Sequence, residues 1–265
     1  MGLHQNRIVV KVGTSTLTNE MGKSDLRSFD RLACSLSDLQ NMGYEIILVS
    51  SGAIALGTNK LNMKTRPSSM RLKQAAAAVG QCRIMYLYDK FFGAYDKTIG
   101  QILLNAEDIE QEEKKENLIN TFNALLEMGI IPIVNENDSV SYTEIESEER
   151  LFGDNDMLSA VVAVLCKAKR LVIFSDIDGL YDTDPRLHPN AKLIPKIEQI
   201  NEDVYKLAGG AGSRRGTGGM KTKLQAAELA TAQGIDTIIT NGKKPSVLYE
   251  IIKGGGAGTL FAGKQ

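Results

Sequence analysis

The 265-residue sequence has no tryptophan, two histidines and three cysteines. Cys34, Cys82 and Cys166 are far apart, form no CxxC pair and are odd in number. A disulfide framework and a cysteine zinc site are therefore not expected, and a reducing cytoplasm is the natural setting. Each cysteine lies in a helix-like stretch and reads as a small buried hydrophobe. His4 and His188 sit in polar contexts, which leaves almost nothing for a histidine zinc site or a Ser-His-Asp triad. Long apolar runs are missing too. The longest, 160–166, falls far short of the ~20 residues that span a bilayer. No signal-peptide pattern opens the chain, so no membrane partner is expected. Lys+Arg number 31 and Asp+Glu 32, a net charge of -1, which gives no broad basic surface for nucleic acid. Two nucleotide signatures are absent. Gly242-Lys243 is followed by Lys244 and makes no Walker A loop, and no GxGxxG follows the first strand-like run, which removes the main support for a dinucleotide-binding dehydrogenase.

What is present alternates. Strand-like runs at 7–12, 44–49, 99–104, 130–134, 170–174, 237–240 and 259–261 are interleaved with helical periodicity at 24–42, 70–92, 112–128, 154–167, 202–208 and 221–233. Gly43, Gly129 and Gly234 stand where helix stops belong. Such alternation predicts βαβ units, an α/β fold with a largely parallel sheet and helices on both faces. The segment 139–152, SVSYTEIESEERLF, breaks the rhythm and predicts a β-hairpin excursion. Residues 179–200 hold Pro185, Pro189 and Pro195 and read as irregular. Residues 209–219 hold six glycines, with Arg214 and Arg215 among them. No linker divides the chain, so one domain over 1–265 is expected, with softer lobes at about 1–168 and 169–265.

Ligands of open parallel sheets bind beyond the carboxyl ends of the strands. Those ends carry Gly13-Thr14-Ser15, Ser50-Ser51-Gly52-Ala53, Asn135-Glu136-Asn137-Asp138 and Ser175-Asp176. Small and polar turns that open helices make anion sites. Lys11 interrupts an otherwise buried run, IVVKVG. It either snorkels from an edge strand or has a buried partner. Lys223 follows Gly218-Gly219-Met220-Lys221-Thr222, a glycine-rich loop entering a helix, where N–H groups and an ammonium can hold phosphate oxygens. Lys221 has no role that spacing suggests. Asp154, Asn155 and Asp156 stand at a helix start. They are more than a cap needs, and with Asp138 they could receive an ammonium group or hold two lysines in place.

The ordered segments KVGTST (11–16), SSGAIALG (50–57), PIVNENDSV (132–140), FGDNDMLSA (152–160), SDIDGLYDTDPR (175–186) and GTGGMKTK (216–223) resemble the glutamate 5-kinase family of the amino-acid kinase superfamily. The resemblance implies a three-layer αβα sandwich and the phosphorylation of L-glutamate by ATP to L-glutamyl 5-phosphate, the first step of proline biosynthesis. It implies that Lys11, Lys223 and Asp156 are catalytic, the lysines on phosphate oxygens and the carboxylate orienting them. Ser51, Gly52, Asp138, Asp154 and Asn155 are then the glutamate-binding residues. Gly13, Thr14, Ser175, Asp176 and the stretch Thr217, Gly218, Gly219, Met220, Lys221, Thr222 and Lys223 are then ATP-binding. Mg²⁺ is expected to arrive with ATP, without an all-protein site. The resemblance also implies a homo-oligomer (dimer or tetramer), inhibition by proline and a possible glutamyl phosphate reductase partner. Many members continue into a C-terminal PUA domain, which is expected to be absent here. The rival readings are a kinase for aspartate or N-acetylglutamate and a catalytically silent nucleotide sensor.

Overall fold

A computed structural model describes residues 2–19, 21–140, 155–208 and 219–264. The chain runs β1 (His4–Val12), α1 (Thr14–Leu17), α2 (Leu26–Asn41), β2 (Glu45–Ser50), α3 (Ala53–Lys60), α4 (Met70–Gly93), β3 (Ile99–Leu104), α5 (Ala106–Glu110), α6 (Glu112–Glu127) and β4 (Ile131–Glu136). It continues through α7 (Asn155–Leu165), β5 (Ala168–Ser175), β6 (Lys196–Ile197), α8 (Glu202–Leu207), α9 (Met220–Ala232), β7 (Asp236–Asn241), α10 (Val247–Ile252) and β8 (Thr259–Phe261). The strands form one sheet of order β3-β4-β2-β1-β5-β7-β8-β6. Among the described residues the paired strands run parallel except β7 with β8. The excursion expected from residue 139 lies outside the described residues from 141 onward.

Side-chain alternation sorts the sheet into two cores. Ile8, Val10 and Val12 of β1 pack with Phe29, Leu32 and Leu36 of α2 and with Leu87 and Tyr88 of α4. Val9 faces the other way, into a core with Phe122 of α6, Leu158 and Val162 of α7 and Leu224 and Ala227 of α9. The result is a three-layer αβα sandwich.

Local chemistry explains the helices. Asp25 caps α2, its carboxylate accepting from the N–H groups of Arg27 and Ser28, which is worth about 1 kcal/mol. α7 (NDMLSAVVAVL) is apolar nearly all round and is buried accordingly. α3 and α4 cross at two glycines. A Cβ on Gly57 would meet the Ala76 carbonyl, and one on Gly80 the Ala53 carbonyl. Only glycine permits that approach.

Arg7 is also buried, in the first half of β1 and away from the carboxyl strand ends considered above. It donates to Glu45 at 2.7 Å, to the Cys166 carbonyl at 2.7 Å and to Asn123 at 3.2 Å. It ties β1 to β2, α6 and the end of α7. Of the cysteines, Cys166 is buried and burial pushes its thiol up to about 12. Cys34 is half-buried and Cys82 is exposed. The expectation of three buried cysteines therefore fails at Cys82, which α4 turns outward. No helix among the described residues is long and apolar enough to cross a membrane.

Candidate active site

β1 lies at the middle of the sheet, between β2 and β5, so Lys11 is not on an edge strand. Its side chain shares the face of Val9, beneath α7 and α9, and is 7% exposed. An ammonium at that depth needs a counter-charge. Asp156, the second residue of α7, is fully buried and supplies it. Lys11 Nζ lies 2.6 Å from Asp156 Oδ1. Lys223 Nζ, from the first turn of α9, donates to Oδ2 at 2.9 Å. Thr222 Oγ1 lies 3.2 Å from the same oxygen. Burial alone would raise the Asp156 carboxyl. The two ammonium groups and their hydrogen bonds outweigh it and bring the pKa from 3.8 down to about 2. The carboxylate is thus ionised at any working pH, and the three groups sum to one positive charge.

Further residues border this triad. A Cβ on Gly13 would stand 3.7 Å from Lys11 Nζ, so glycine keeps the space beside the ammonium open. Thr14 begins the single turn of α1. Ser175 ends β5 and is buried, while Asp176 is exposed. The Gly242 N–H donates to the Ser175 carbonyl at 2.9 Å, which joins the ends of β5 and β7. Gly219 precedes α9, Met220 packs against the core, and Lys221 is exposed one turn-face away from buried Lys223. Thr217 and Gly218 lie outside the described residues, as does Asp154.

The residue before Asp156 faces a different set. Asn155 Nδ2 donates to the Ser50 carbonyl at 2.8 Å, to Ser51 Oγ at 2.9 Å and to Asn135 Oδ1 at 2.9 Å. Gly52, at φ 101°, makes the left-handed turn that starts α3 and brings its backbone against Thr14. This links the end of β2 to the turn after β1. Ser50 Oγ and Tyr88 Oη of α4 are 2.9 Å apart. Beside these residues lies a cavity of about 430 Å³, with Ala53, Ala77, Gln81, Cys82, Asp138 and Ser139 in its wall. Asparagine 135 and glutamine 81 were not singled out from the sequence. Asn135 at least lies within the NENDSV segment, whereas nothing around Gln81 in α4 marks it.

Chemically, this edge of the sheet offers two fixed ammonium groups, several helix starts and a neighbouring cavity with carboxylate lining. Among the described residues no histidine lines the cavity, and its wall holds a cysteine, Cys82, on an exposed position of α4. That combination suits transfer between anionic oxygens, where positioning and charge do the catalysis. Residues 6–241 match the model of the amino acid kinase family. The chain belongs to the amino acid kinase family. Within that family it is 52% identical over 259 residues to the glutamate 5-kinase of Clostridium perfringens, covering 98% of this chain and 96% of that one. It is 50% identical over 255 residues to the glutamate 5-kinase of Enterococcus faecalis, covering 96% and 94%. Among solved structures, the carbamate kinase from Giardia lamblia bound to AMP-PNP superposes with a TM-score of 0.68 at 15% identity, covering 97% and 98%. The UMP kinase from Bacillus anthracis gives 0.65 at 14%, covering 98% and 97%. These two share the amino acid kinase fold.

Proposed function

We propose that this amino acid kinase transfers the γ-phosphoryl group of ATP to the γ-carboxylate of L-glutamate, giving ADP and L-glutamyl 5-phosphate, the first step of proline biosynthesis. The observation that carries the reading is the pair of buried ammonium groups held by one carboxylate, with the Asn155–Ser51 set one residue away. The two glutamate 5-kinase relatives, matched over nearly their whole length, support the substrate.

The nucleophile is the substrate's own carboxylate, ionised at neutral pH, so no general base is required. The obstacle is bringing an anion to a polyanion. Lys11 and Lys223 contact the phosphate oxygens and take up charge on the transferring group. Asp156 sets their separation. Both of its oxygens are engaged by the lysines, so Mg²⁺ would be held by the nucleotide rather than by Asp156 and would supply charge neutralisation of the phosphates. Gly13 and Thr14 offer backbone N–H groups beside Lys11. Ser175, Asp176 and residues 217–223 hold the nucleotide, which makes 169–265 the nucleotide lobe. Ser51, Gly52, Asp138, Asp154 and Asn155 hold glutamate in the lobe 1–168. Proline competes for that second site, a reductase consumes the acyl phosphate, and the enzyme works in the cytoplasm as a dimer or tetramer.

A hydroxamate trap tests the activity. The protein is incubated with Mg-ATP, hydroxylamine and either L-glutamate, L-aspartate or N-acetyl-L-glutamate. Coloured hydroxamate with glutamate alone is expected. Colour with another acid reassigns the substrate, and no colour with any acid, while ATP still binds, refutes the kinase reading.

A further inference from the structure

The amides around Asn155 can be oriented without ambiguity, because a backbone group fixes each end of the chain. The Ser50 carbonyl can only accept, so the Asn155 atom 2.8 Å from it is nitrogen. The Glu136 N–H can only donate, so the Asn135 atom 3.0 Å from it is oxygen. Asn135 Nδ2 therefore faces Gln81, and the Gln81 atom 3.0 Å away is Oε1. Gln81 Nε2 is left buried with no hydrogen-bond partner among the described residues. Flipping it would set two N–H groups against each other. A buried donor kept unpaired in this way calls for a reason.

The reason lies at the other end of the chain. Asn155 Nδ2 carries two hydrogens and is surrounded by three acceptors. It has nothing left to donate. What Asn155 has left for a ligand is its oxygen, an acceptor. Ser51 Oγ already accepts from Asn155, so its own hydrogen is free to be donated. The site thus presents an amide oxygen and a hydroxyl donor, and the cavity beside it has Glu136 and Asp138 in its wall. That is the complement of an ammonium next to a carboxylate.

We infer that Gln81 is a positioning residue for substrate recognition: by accepting from Asn135 it holds that side chain in the place where its oxygen backs the Asn155 nitrogen, which keeps the Asn155 amide still with its oxygen turned to the substrate's α-ammonium. The inference rests on the reading of the substrate as glutamate.

The test compares wild type with Gln81→Met and Gln81→Glu. It measures the KM for glutamate, the KM for ATP, and the inhibition constant of glutarate, which keeps both carboxylates and lacks the α-ammonium. Gln81→Met should raise the glutamate KM about tenfold, the size of one lost hydrogen bond to a charged group. Glutarate inhibition and the ATP KM should stay unchanged. The melting temperature should change little, since one unpaired donor, on Gln81, is exchanged for another, on Asn135. Gln81→Glu keeps the acceptor and should keep the wild-type preference for glutamate over glutarate. Should Gln81→Met not fold, Asn135→Ser breaks the same link and must show the same selective loss. Equal weakening toward glutamate and glutarate, or no change in their ratio, overturns the inference while wild type still forms glutamyl hydroxamate. A wild type that forms none takes down the substrate reading and this inference together.

Discussion

Replacing Asp156 by asparagine keeps the side chain's shape and removes its charge. Two ammonium groups, 7% exposed each, then face each other without a counter-ion, and the local charge rises from one positive to two. Removing one partner of a buried ion pair costs about 3–5 kcal/mol, a large part of the roughly 5–15 kcal/mol that holds a domain folded. Urea unfolding of the ligand-free Asp156→Asn protein should show a loss of that size. A nucleotide's phosphates replace the missing anion, so a non-hydrolysable ATP analogue should stabilise the variant more than it stabilises wild type. Turnover should move the other way. With the lysines splayed apart, kcat should fall on the order of 10²–10³-fold, as when an aligned charge-stabilising donor is lost, while the ATP KM holds or drops. Acid provides a second reading. The folded pKa of about 2 lies below the ordinary 3.8, so the Asp156 contribution is complete above pH 3.8 and disappears as pH falls through about 2. It is worth about 2 kcal/mol, and the variant's stability should be flatter by that amount across the window. A variant with the wild-type urea midpoint and wild-type kcat would refute the bridging role.

Lys223→Ala should lower kcat by about 10²–10³-fold with the protein still folded, checked by the hydroxamate rate at saturating substrates. Asp138→Ala should raise the glutamate KM and leave the ATP KM unchanged; a change confined to ATP contradicts its assignment. Gly80→Ala drives a methyl into the Ala53 carbonyl and should cost about 1–3 kcal/mol or more by thermal melting. Because Ala53 follows the Gly52 turn, the glutamate KM should rise as well.

Strand positions were readable because their residues alternate or run apolar between clear stops. The runs at 99–104 and 259–261 form β3 and β8 with the same bounds. The layer assignment of Lys11 could have been read from its parity with Val9, but its partner could not, since Asp156 is 145 positions away and local pattern says nothing about contacts at that range. The two-residue β6 and the five-residue α5 carry too little periodicity to be seen. Arg7 looked like the first residue of a strand, and its three partners come from three other elements. Gln81 was invisible for the same reason: its significance comes from Asn135, 54 residues on, and a lone glutamine in an alanine-rich helix has no signature of its own.

Asn155 and Asp156 are consecutive, so in the proposed assignment one peptide unit, about 3.8 Å long, is the common datum for both co-substrates. On that assignment the acceptor acid and the phosphoryl donor are gauged from the same short stretch of backbone, and a shift of that stretch moves both. The same assignment puts tolerance to acids of different length on the far wall of the cavity, made by α4 and the end of β4. An attempt to retarget this enzyme to an acid one methylene shorter has its best prospects there, with added bulk at Ala77 or Ala78 and the start of α7 left untouched.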